Sequence, residues 1–176
     1  GDIQIVFRFG KAYGVFDTDI SPWVLGFLPG REIFPEEVAL TNASHGEVSG
    51  YSGTYFQLDQ GDPVEVWLAE RLDSLMIYEY AQYQAVRPTG FSSWPTLDPL
   101  THPTEQQNPD SSEDREKIDL SNLEASASSG GFFIGYHAYP YYPDFVIHDP
   151  GYSFESDTAG PNSYLGYLKD LKAHYK

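Results

Sequence analysis

A chain of 176 residues with 40% hydrophobic and 16% aromatic side chains carries enough apolar surface for one globular domain, which excludes a disordered polar chain. Its 26 Asp and Glu against 10 Lys and Arg give a formal charge of -16, so nucleic acid and anionic membrane surfaces are repelled and a neutral or cationic ligand fits better. Cysteine is absent, which excludes disulfides and thiolate sites and leaves the compartment undetermined. No apolar run approaches the ~18 residues needed to span a bilayer, and no signal-peptide pattern opens the chain. The first residue is Gly1 rather than methionine, as expected of a piece of something longer.

In chain order, the apolar run Trp23 to Leu28 predicts a buried strand closed by Pro29-Gly30, with Arg31 and Glu32 at its carboxyl end. Pro35, Glu36 and Glu37 then suit the first turn of a short helix. The clearest helix is expected from about Pro63 to Ala85, opened by Asp62 and Glu65 in capping-box spacing, with Val64, Leu68, Leu72, Leu75, Met76, Tyr80 and Tyr83 along one face. After it, "RPTGFSSWPTLDP" reads as a short strand running into a Trp-Pro loop. Residues from about 100 to 130, with "NPDSSEDREK" at their centre, predict a polar loop excursion tethered by Ile118, Leu120 and Leu123. "GFFIGYHAYPYYPDF" begins as a strand and ends as a cluster of rings. A last helix capped by Asn162 carries Leu165, Leu168, Leu171 and Tyr175 on one face and basic groups near its negative end.

Strands separated by helices imply right-handed crossovers and a parallel sheet, either open and doubly wound or closed as a barrel. The chain has no Gly-rich phosphate loop of the G-x-G-x-x-G or G-x-x-x-x-G-K-[ST] type, which weakens a nucleotide-binding open sheet. Glu32, Trp94 and His137 with Tyr139 each fall just after a strand, and a barrel gathers such ends on one face. The expected fold class is therefore α/β, a partial (β/α)8 TIM-barrel-like arrangement of parallel strands alternating with helices.

Glu32 is compatible with a general acid/base or with one half of a surface ion pair with Arg31. His137 and Tyr139, two residues apart on an extended chain, point to one side and suit hydrogen bonds to sugar hydroxyls or a carboxylate; a core histidine beside a half-buried tyrosine is the alternative. Trp94 reads equally as a stacking platform or a loop anchor. His45, His102 and His148 lack metal-ligand spacing, so no metal is expected. No G-x-S-x-G elbow supports a serine nucleophile.

Taken together, "SPWVLGFLPGREI", "EVWLAERLDSLMIYEYAQYQAVRPTGFSSWPTLDPLTHPTE" and "GYHAYPYYPDF" with "NSYLGYLKDLKAHYK" resemble the middle and later part of the TIM-barrel catalytic domain of the large clan of glycoside hydrolases that includes cellulases and β-galactosidases. The resemblance implies that residues 1–176 are a fragment of one such domain, whose partners are a carbohydrate and the remainder of its own barrel, with no cofactor. It assigns Glu32 as general acid/base of a retaining hydrolase. Arg31 stands where the clan has an asparagine that contacts sugar. His137 and Tyr139 match a ring pair near the catalytic carboxyls, Trp94 corresponds loosely to a ring at the sugar subsite, and Tyr141 extends the ring cluster of the sugar-facing rim. The nucleophile, a glutamate in the clan, falls beyond Lys176, so this chain alone is expected to be inactive. The alternative is a carbohydrate-binding or pseudoenzyme module that holds a glycan without cleaving it, which Arg31 favours.

Overall fold

The computed structural model describes residues 3–7, 9–11, 13–106 and 115–175. The chain opens with an antiparallel pair, β1 (Ile3–Ile5) and β2 (Gly14–Phe16). Asp19 accepts from the Ser21 N–H at 2.9 Å, and Pro22 follows, so Ser21–Trp23 winds into a single 3-10 turn. Helix α1 (Pro35–Ser44) starts at Pro35, and Glu37 folds back to accept from the Phe34 N–H at 3.0 Å. The hairpin β3 (Tyr51–Ser52) and β4 (Phe56–Leu58) precedes the long helix α2 (Pro63–Tyr83). Glu65 closes the start of α2 by accepting from the Asp62 N–H at 2.8 Å, and Gln84 ends it in the left-handed region with φ 52°.

β5 (Thr89–Ser93) follows, then a 3-10 turn at Pro95–Leu97, the short helix α3 (Pro103–Gln106) and β6 (Glu124–Ala125), which adds to β4 as a third antiparallel strand. β7 (Phe132–Tyr136) pairs in parallel with β5, Ser92 opposite Gly135. A single turn α4 (Phe145–His148), the antiparallel pair β8 (Ser156–Asp157) and β9 (Gly160–Pro161), and helix α5 (Ser163–His174) complete the chain. Asn162 caps α5 by accepting from the Leu165 N–H at 3.0 Å.

The expected partial (β/α)8 TIM-barrel-like fold is not what forms. Among the described residues β5 and β7 are the two strands paired in parallel, joined by an isolated parallel bridge from Phe27 to Thr89, and the remaining strands make short antiparallel ladders. The physical reason lies in segments too short and too turn-rich to cross over: residues 53–55 return β3 directly onto β4, and residues 158–159 return β8 onto β9. The expected buried strand from Trp23 to Leu28 is likewise replaced. Trp23 and Leu25 are 74% and 90% exposed, and only Phe27 to Pro29 reaches β5. A short apolar run carries no period that separates a strand from an exposed connection.

Two clusters of buried side chains hold these elements. The larger joins Val64, Leu68, Leu72 and Met76 of α2 to Phe56 and Leu58 of β4, Phe91 of β5 and Val38 of α1. Ile118, Leu120 and Leu123 complete it, so the chain after the excursion is pinned into the core. Residues 107–114, most of the polar "NPDSSEDREK" stretch, lie outside the described residues. Tyr80 and Tyr83, expected on the packed face of α2, are about half exposed because the core ends near Met76. The smaller cluster seats Tyr167 and Leu171 of α5 against Phe145, Val146 and Tyr152.

Asp73, 1% exposed on α2, ties helix to hairpin. Its carboxylate accepts from the backbone N–H groups of Thr54, Tyr55 and Phe56 at 3.2, 2.6 and 3.0 Å and from the Tyr51 hydroxyl at 3.2 Å. Replacing Asp73 by alanine leaves those donors without an acceptor, and each buried orphan costs about 1–3 kcal/mol. Asp73→Ala is therefore expected to lower unfolding free energy by about 3 kcal/mol or more in a denaturant titration, whereas Asp59→Ala, on the exposed surface, changes it by less than about 0.5 kcal/mol.

Candidate functional site

Three stretches distant in sequence meet at the carboxyl ends of β5 and β7. The Phe27–Pro29 segment lies along β5: the Phe27 N–H donates to Pro88 O at 2.9 Å, Gly90 N–H to Phe27 O at 2.7 Å and Ser92 N–H to Pro29 O at 3.4 Å. Gly30 then takes φ +115°, a conformation that side chains oppose, and this turn delivers Arg31 and Glu32 past the end of the strand. On the far side the indole N–H of Trp94 donates to Ile33 O at 2.8 Å, and the ring of Phe34 meets Trp94 edge-on at 6.1 Å. Glu32 is thus held between two backbone anchors.

β7 continues into residue 137, whose N–H donates to Ser93 O at 2.9 Å. His137 Nδ1 lies 3.0 Å from Glu32 Oε1, and the Tyr139 hydroxyl donates to the same oxygen at 3.3 Å. The other imidazole nitrogen, Nε2, lies 2.9 Å from Ser92 Oγ. Ser92 is 3% exposed, while the side chains of His137 and Glu32 are 44% and 34% exposed, so the row is buried at its serine end and open to solvent at both the imidazole and the carboxyl group. Tyr136, on the opposite face of β7, instead bonds the Tyr175 hydroxyl of α5 at 3.1 Å.

This order decides what the row can do. In a serine hydrolase the hydroxyl faces substrate and the carboxylate is buried behind the imidazole. Here the hydroxyl is the buried member, and solvent reaches both the imidazole and the carboxylate. The Glu32 carboxyl is within reach of solvent, with an imidazole and a phenol both holding one of its oxygens.

No protein-family model, curated protein or solved structure matches the chain.

The other residues singled out in the sequence take different places. Arg31 turns away from the carboxyl group: its guanidinium donates to Glu32 O at 2.8 Å and to Glu37 Oε1 at 2.5 Å. Trp94, 8% exposed, is part of the larger core and anchors Ile33. Tyr141 is 80% exposed at the tip of the turn that an isolated bridge closes between Tyr139 and Tyr142. Ser92 was not marked by sequence, since a serine in "GFSSWP" has no distinguishing neighbour and only the parallel register with β7 reveals its partner.

A separate cleft of about 600 Å³ between α1, α2 and residues 29–33 is mostly apolar, lined by Ile33, Val64, Trp67, Leu68 and Phe91 among others. Arg31 reaches it, but Glu32, His137 and Tyr139 do not line it. Among the described residues no group of three or more His, Asp or Glu is placed to hold a metal ion.

The negative charge of Glu32, with smaller contributions from burial and the hydrogen bond, raises the Tyr139 phenol above its ordinary value. Removing that charge should lower it again. In Glu32→Gln, a ring-labelled Tyr139 followed by NMR is expected to ionise at lower pH than in the parent protein; an unchanged titration would mean that the two side chains do not meet in solution.

Proposed function

We propose that this chain is part of a glycoside hydrolase, with Glu32 as the general acid/base that protonates the leaving glycosidic oxygen. The observation that carries the reading is the solvent-facing Glu32 carboxyl, one oxygen of which is held by both His137 and Tyr139. Such a carboxyl can give and recover a proton without moving, provided its geometry is fixed by neighbours that do not react. Tyr139 adds an exposed ring in contact with it, and Tyr141 and Tyr142 are further exposed rings on the same turn, suited to the apolar face of a pyranose at one end and its hydroxyls at the other. The acidic surface agrees with an uncharged substrate.

A second reading, a module that holds a glycan without cleaving it, rests on one observation. Retaining cleavage takes two carboxyl groups about 5 Å apart, one as acid/base and one as nucleophile. Among the described residues no second carboxylate belongs to the hydrogen-bonded row of Ser92, His137, Glu32 and Tyr139.

The two readings separate on one substitution in the intact protein. Glu32→Gln is nearly isosteric but has no proton to donate, so cleavage of an unactivated oligosaccharide is expected to fall by about 10²-fold or more with the circular-dichroism spectrum and melting temperature kept. Aryl glycosides with good leaving groups should be affected much less, because they need little acid assistance. Unchanged turnover of the natural oligosaccharide removes Glu32 from the mechanism, and glycan binding without turnover in the parent protein favours the binding module.

A further inference from the structure

We infer that Ser92 is a positioning residue that selects the Nδ1-protonated tautomer of His137 and thereby commits Glu32 Oε1 to accepting, leaving Oε2 as the oxygen that carries the transferable proton. The catalytic consequence rests on the glycosidase reading above; the tautomer assignment does not.

The hydrogen-bond inventory forces the assignment once the ends of the row are considered together. Glu32 Oε1 already accepts from the Tyr139 hydroxyl, and a carboxylate oxygen has no proton of its own to offer. The contact of 3.0 Å from His137 Nδ1 to that oxygen is therefore a donation from Nδ1–H. A neutral imidazole with its proton on Nδ1 has a bare, accepting Nε2. Ser92 Oγ, 2.9 Å away and 3% exposed, is placed to donate into it. Without that hydroxyl the Nε2 lone pair would lose its partner in the protein, and the ring would gain by moving its proton to Nε2 or rotating away from Glu32.

Backbone pairing makes the arrangement rigid. Ser92 is opposite Gly135 in the parallel ladder, and His137 is tied to the neighbouring strand by its N–H bond to Ser93 O. Gly135 has no side chain to come between them, and the methyl carbons of Leu28 lie within 3.1–3.4 Å of where a Cβ there would stand. The imidazole is therefore fixed at Nε2 by Ser92 and at Nδ1 by Glu32. Because both donors act on Oε1, a proton on the carboxyl group resides on Oε2, and the leaving oxygen of the substrate has to approach from that side.

The test is nitrogen-15 NMR of histidine-labelled protein, with His137 assigned by loss of its signals in His137→Gln. The neutral His137 imidazole is expected to carry its proton on Nδ1; a neutral ring with the proton on Nε2 overturns the inference. Ser92→Ala should move the population toward the Nε2-protonated form, and Ser92→Thr, which keeps the hydroxyl, should restore the original tautomer. If hydrolysis is present, Ser92→Ala should lower kcat by roughly tenfold to a hundredfold with little change in KM, as misplacement of a reacting group does. A tautomer unaffected by Ser92→Ala overturns the role of Ser92 even where Glu32→Gln abolishes turnover. A confirmed tautomer with no effect of Glu32→Gln on turnover leaves Ser92 its positioning role and removes the glycosidase reading.

Discussion

The parallel pairing of β5 with β7, together with the three hydrogen bonds that lay Phe27–Pro29 along the other side of β5, is the constraint on which the site depends. Parallel neighbours present their carboxyl ends at the same level, so the chain leaves the sheet at residues 30, 94 and 137 within reach of one another. The pairing is close because of what is missing from it. A Cβ on Gly90 would stand 2.6 Å from Phe133 O, and one on Gly26 would stand 2.7 Å from Pro88 O. Glycine at these two places is what lets the three backbones approach.

Around that unit the protein handles its excess of acid in two ways. Most carboxylates stay in water, where a charge of -16 costs little per group and favours solubility. A few are buried and are used as acceptors for backbone that would otherwise be orphaned. Asp73 serves the β3–β4 turn, and Glu65 joins the start of α2 to the Asp119 N–H at 2.6 Å while burial pushes its carboxyl above the ordinary value. Glu79 bonds both the backbone and the guanidinium of Arg87, whose other end donates to Ser21 O at 2.7 Å. These ties replace the continuous sheet that the short strands do not form.

What could be read in advance followed the strength of the local signal. The helices α1, α2 and α5 were legible because Pro35, Asp62 with Glu65, and Asn162 mark their starts with side-chain chemistry that works within one turn. β7 and the shared side of His137 and Tyr139 followed from a two-residue period. The strand pairings were not legible, because two- and three-residue strands such as Tyr51–Ser52 and Glu124–Ala125 acquire their state only from a partner. Trp23 and Leu25 misled for the converse reason: their apolarity suggested burial, but the Ser21-Pro22 turn sends them outward. Arg31 was singled out by its place in the resemblance and Trp94 by residue type, and neither reveals that one reaches back to Glu37 and the other into the core.

The meeting of Glu32 with His137 spans 105 residues of chain. A contact of that separation cannot form early from local propensity, since loop-closure entropy has to be overcome before it yields anything. Glu32 is also attached through an edge of the sheet, a segment held by three backbone bonds to Pro88, Gly90 and Ser92 and by no full strand ladder. Fraying of that edge, with release of the Trp94–Ile33 bond, would carry Glu32 away from an otherwise intact imidazole and phenol. The carboxyl group is thus the part of the site with its own opening equilibrium, and amide exchange at Phe27 would measure it separately from global unfolding.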